Sequence, residues 1–111
     1  MNKETSLNEE QFNSIYPDGI ERHYWTHCRN KIISIWLKRQ YKKKDKVLEI
    51  GCGKGVVVSF LKDKGFNIVG VELANIRPLD KVNEYVRTGI DAFCLDEKEC
   101  KSISTILLLD V

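Results

Sequence analysis

A chain of 111 residues with 18 Lys and Arg against 16 Asp and Glu, a net charge of +2, has room for one small domain and not for two. Its 42% hydrophobic and 31% charged residues suit an ordinary core and surface, and no apolar run nears the roughly eighteen residues that cross a bilayer as a helix. The start, Met1-Asn2-Lys3-Glu4-Thr5-Ser6, lacks the basic-then-apolar order of a secretory signal, so the expected location is cytoplasmic, with no membrane partner.

In chain order, residues 1–19 read as a polar, mobile amino-terminal segment, with Tyr16-Pro17-Asp18-Gly19 forming a turn. Ile20, Tyr24, Cys28, Ile32 and Trp36 recur every four residues, widened by Trp25, Ile33 and Leu37. This spacing predicts a helix over about 20–40 that packs its aromatic stripe on a core. The run Lys38-Arg39-Gln40-Tyr41-Lys42-Lys43-Lys44-Asp45-Lys46 combines a basic cluster with an aromatic. Its plain reading is a solvated loop before a buried strand, and a net charge of +2 calls for no nucleic-acid partner.

Next comes a β-branched and aliphatic run, Val47 to Ile50, that leads into glycines at 51, 53 and 55. Lys54 to Lys64 reads as the following helix, stopped by Gly65, although Val56-Val57-Val58 lowers its propensity. Asn67 to Val71 is a second strand closed by Glu72. Leu79, Val82 and Val86 share a helical face, so a helix is expected over Leu79 to Thr88, with Pro78 in its first turn and Gly89 at its end. Glu97 to Ser102 is a short polar bridge, and Thr105 to Val111 is a strand. Alternating strands and helices imply an α/β fold with a doubly wound parallel sheet.

The glycine loop carries the chemistry. Alternating glycines after a strand allow a sharp turn and a close approach of ligand to backbone, and an acid about twenty residues later is placed to take ribose hydroxyls. A dinucleotide fingerprint, however, wants its third glycine at position 56, where Val56 stands. Glu49 also puts a negative charge where a pyrophosphate would lie. S-adenosylmethionine has an ammonium and a sulfonium and no phosphate, so an acid there suits it better than NAD.

Glu49-Ile50-Gly51-Cys52-Gly53-Lys54-Gly55 resembles motif I of class I S-adenosylmethionine-dependent methyltransferases. Gly70-Val71-Glu72-Leu73 is similar to that family's second motif, which implies ribose contacts from Glu72 and adenine packing by Leu73. Ile90-Asp91-Ala92-Phe93-Cys94-Leu95-Asp96 resembles the third strand, with Asp96 as the candidate acid near the adenine amino group and Asp91 as the alternate. Ile106-Leu107-Leu108-Leu109-Asp110-Val111 resembles the fourth strand, which adds Asp110 to the cofactor residues. More loosely, Glu21 to Asn30 resembles a segment that covers the cofactor pocket in relatives, so Trp25 and Arg29 are candidates to reach it. The expected cofactor-binding set is therefore Glu49, Gly51, Cys52, Gly53, Gly55, Glu72, Leu73, Asp96, Asp110, Trp25 and Arg29.

The resemblance spans about residues 20–111 and implies the amino-terminal half of a Rossmann-like domain, truncated after strand four. The expected activity of the family is methyl transfer to a small-molecule or glycan acceptor, with this chain alone inactive. An apolar strand-four edge at residues 105–111 would favour self-association. No catalytic base is assigned, and His23 and His27, four apart without a further cluster, imply no metal. Cys28, Cys52, Cys94 and Cys100 form no C-x-x-C pair and read as free thiols, Cys52 being a small residue tolerated in the loop. Two alternatives stand beside this reading: an NAD-type dinucleotide-binding domain, and a non-enzymatic interaction module that uses the basic loop.

Overall fold

The computed structural model describes residues 23–42 and 44–109. Four strands form one parallel sheet in the order β3-β2-β1-β4: β1 (Val47–Ile50), β2 (Ile68–Glu72), β3 (Val86–Thr88) and β4 (Thr105–Leu107). Helices α1 (Tyr24–Lys38), α2 (Val56–Asp63) and α3 (Glu97–Ser102) connect or precede them. The register sets Glu49 between Gly70 of β2 and Leu107 of β4, and it pairs Glu72 with Thr88. The expected α/β parallel sheet is what the chain forms, and it sets β1 between β2 and β4.

Strand alternation puts Val47, Ile68, Val86 and Leu107 on one face of the sheet, where they pack with Val57, Val58 and Leu61 of α2 and Leu37 of α1. Leu48 and Val71 point to the other face, under Leu95, with Ile90, Ala92 and Ile103 at the margin. The three consecutive valines of α2 are all buried, and this packing outweighs their weak helix propensity. Among the described residues β4 pairs only with β1, and its Ile106 is exposed, as is Leu108 beyond it.

Three expectations fail. The helix predicted over Leu79 to Thr88 is instead a single 3-10 turn, Asp80–Val82, followed by β3. Val82 and Val86 are both buried as predicted, but they come from a turn and a strand that converge on α2's first residues. The chain turns through Asn83 to Tyr85, and the Tyr85 carbonyl then accepts the Gly70 N–H at 2.8 Å, starting the parallel ladder. Ile90 to Asp96, read as strand three, lies past the end of that strand and holds a 3-10 turn, Ala92–Cys94.

The third failure concerns α1. The helix forms, with the His23 Nδ1 capping its first turn by accepting the Trp25 N–H at 3.3 Å, but its packed face is not the aromatic stripe. Asn30, Ser34 and Leu37 are buried, and His27 meets Phe60 of α2 edge-on with ring centroids 5.5 Å apart. Tyr24, Trp25, Cys28, Ile32 and Trp36 are exposed. Small polar residues thus line the buried side of α1, and the Ser34 hydroxyl satisfies itself by donating to the Lys31 carbonyl at 2.8 Å. Ile20 and most of the amino-terminal segment lie outside the described residues.

Candidate functional site

The site is built where β1 ends. Gly51, Gly53 and Gly55 all take positive φ (74°, 58° and 92°), a conformation that would strain a side-chain-bearing residue, so the backbone coils at the carboxyl end of the sheet. Gly51 and Cys52 donate their N–H groups to the Val71 carbonyl at 2.9 and 3.1 Å, which ties the loop to β2. Gly55 begins α2 under a tight roof. A Cβ there would lie 2.7 Å from Val86 Cγ2 and 2.9 Å from Val82 Cγ2.

Glu72 is the pivot. Its Oε1 accepts the Gly53 N–H and its Oε2 accepts the Ala74 N–H, both at 2.9 Å. One carboxylate therefore fixes the middle of the glycine loop and the chain leaving β2. Each oxygen retains a further lone pair for a hydroxyl donor. Only 7% of Glu72 and 3% of Glu49 is exposed, so two acids stand buried at neighbouring strand ends, on the same face of the sheet.

Cys52 faces inward. Its sulfur occupies the space left by Gly70, where a Cβ would come within 2.7 Å of it. The thiol donates weakly to the Gly53 carbonyl at 3.6 Å. Burial first, then the charges of Glu49 and Glu72, push this thiol far above its ordinary range, so it stays protonated. Its side chain is thus a packing element beneath the loop. Gly70 was not singled out for this role by sequence; the only signal was a glycine inside a strand, which marks close approach of another group.

The remaining candidates scatter. Leu73 is half-buried just beyond Glu72. Asp96 is exposed and caps α3, its Oδ1 accepting the Glu99 N–H at 2.7 Å. Asp91, the alternate, directly follows Ile90, whose N–H donates to the Glu72 carbonyl at 3.1 Å. With β3 ending at Thr88, Asp91 is the first acid past that strand end. It also caps the following turn by accepting the Phe93 N–H. Trp25 is 65% exposed on the outer side of α1, and Arg29 is half-buried on its flank. Asp110 lies outside the described residues.

Chemically, the arrangement offers two buried carboxylates and a loop whose central N–H is already donated to one of them. It has the wrong sign for a pyrophosphate and the right one for a ligand with a positive charge and neighbouring hydroxyls. Among the described residues, no helix is long and apolar enough to cross a membrane.

No curated protein and no solved structure matches the chain significantly. Residues 21–105, more than half of the chain, match the family described as a methyltransferase domain. The glycine loop after β1, the acid closing β2 and the parallel order β3-β2-β1-β4 agree with that match, and the chain belongs to the methyltransferase domain family.

Proposed function

We propose that the loop from Gly51 to Gly55, with Glu49 and Glu72, holds S-adenosylmethionine, and that this chain is the cofactor-binding part of a cytoplasmic methyltransferase acting on a small-molecule or glycan acceptor. The observation that carries the reading is the Glu72 carboxylate bridging Gly53 and Ala74 while buried beside Glu49. The residues present fit the group: a glycine cradle for close approach, free lone pairs on Glu72 for ribose hydroxyls, and a second acid for the ammonium end.

When bound, S-adenosylmethionine supplies an electrophilic methyl group on a sulfonium. This chain's part is to bind and orient, since transfer to a nucleophile depends mainly on positioning at attack distance. Glu72 keeps the loop preformed, which reduces the ordering cost of binding. Asp91 is the better placed of the two acids for the adenine end, with Leu73 flanking. Cys52, held protonated and buried, takes no part as a nucleophile.

The NAD reading is disfavoured by the same geometry, because Val56 is buried in the first turn of α2 and Gly53's N–H is committed to Glu72. Thermal shift assays with S-adenosylmethionine, its demethylated product and NAD separate the two. The proposal expects stabilisation by the first two and none by NAD. Stabilisation by NAD alone would overturn it.

A further inference from the structure

Helix α1 turns its apolar sector outward. Tyr24, Trp25, Cys28, Ile32, Ile35 and Trp36 fall on one side of the helix, and the five large ones are 51–76% exposed. A contiguous apolar surface of this kind on a small domain marks an interaction site. Along the helix and the loop that follows it the charge has one sign. From His23 to Lys44 the sequence has no Asp or Glu, yet it carries Arg29, Lys31, Lys38, Arg39, Lys42, Lys43 and Lys44. Among the described residues, none of Lys38, Arg39, Lys42 and Lys44 forms an ion pair. Asp45, the first acid after this stretch, spends its carboxylate on the Lys42 N–H at 2.7 Å.

These features select among partners. A nucleic acid would use the cations and the rings but has nothing for Ile32 and Ile35. A second copy would bring the same cations against the same face. An anionic bilayer uses every part: aliphatic residues enter the acyl boundary, Trp and Tyr sit at headgroup level, and the cations meet lipid phosphates. We infer that the outward face of α1, with the cations at its carboxyl end, is a docking surface for an anionic lipid bilayer, with α1 lying in the interface plane.

This is peripheral attachment, compatible with the absence of a membrane-spanning helix among the described residues. It is independent of the methyl-donor site, whose loop lies at the carboxyl ends of β1 and β2. The sequence expectation of no membrane partner rests on the lack of a spanning apolar run and of a secretory signal, neither of which bears on peripheral attachment, while the aromatic stripe expected in the core is exposed.

The chain's only two tryptophans are Trp25 and Trp36, and both stand on this face, so native emission reports contact directly. The full chain is titrated with unilamellar vesicles of phosphatidylcholine containing a third phosphatidylserine, and with phosphatidylcholine alone, at low and high salt. The expected result is a blue shift and co-sedimentation with the anionic vesicles, both much weaker on neutral vesicles and at high salt. Lys38→Gln with Arg39→Gln lowers partitioning by about fivefold for each charge removed. Ile32→Ser with Ile35→Ser lowers it at least as far, while circular dichroism stays unchanged. Absence of co-sedimentation with anionic vesicles would overturn the inference. So would a blue shift that follows protein concentration without lipid, which would indicate a second copy, or binding of single-stranded RNA in the absence of vesicle binding.

Discussion

The glycine loop and helix α1 both lean on α2, but they use opposite chemistry. The loop buries Glu72 and satisfies it with two backbone N–H groups, and Cys52's sulfur fills the space above Gly70. Helix α1 buries Asn30 and Ser34 beside Leu37 and leaves its aromatic residues outside. The loop is thus specified by backbone conformation and missing Cβ atoms, where almost any side chain is a steric error. The placement of α1 rests on a narrow seam, where only a few positions carry the packing.

The sharpest way to break this contrast is Gly55→Val, which adds atoms against Val82 and Val86 at a positive φ. It is expected to cost about 4 kcal/mol in denaturant unfolding. Leu37→Ala, on the seam of α1, is expected to cost about 3 kcal/mol, whereas Ile32→Ala on the same helix stays within about 0.5 kcal/mol. Equal costs at the two positions would mean that α1 packs by its aromatic face after all. Gly70→Ala is expected to cost about 2 kcal/mol, and because its clash is with the Cys52 sulfur, Gly70→Ala combined with Cys52→Gly is less than additive.

A smaller effect follows from the Cys52 thiol. Its folded pKa is raised above the ordinary value of 9.0, so its contribution is fully present below that pH and is lost as pH rises above it, because the unfolded chain ionises first. The slope attributable to this group is at most about 1.4 kcal/mol per pH unit. Cys52→Ala is expected to flatten the alkaline limb of the stability curve by that amount, and an unchanged limb would place the thiol in water.

What could be read in the sequence follows the same divide. Gly51, Gly53, Gly55 and Glu72 announced themselves because turn geometry and a strand-end acid depend on residue type at fixed spacing. Strands β1 and β2 were legible as short β-branched runs. The segment from Leu79 to Asp96 was not, since Val82 and Val86 four apart satisfy a helical face and also a turn followed by a strand, and only the pairing of Tyr85 with Gly70 decides between them. The expected third strand therefore ended at Asp96, whereas β3 ends at Thr88, with Asp91 the first acid after it. Periodicity found α1 but could not choose its inner face, because the partner surface on α2 accepts small polar residues.

The measurement that bears most directly on the central claim is calorimetric titration of S-adenosylmethionine into the chain and into its Glu72→Gln variant, with circular dichroism confirming that the variant is folded. Glutamine keeps one acceptor oxygen for the loop but loses the charge and the second oxygen. The account predicts saturable binding by the parent chain, at least tenfold weaker in the variant, and no heat with NAD. Binding that is indifferent to Glu72→Gln, or that is seen with NAD instead, would contradict it.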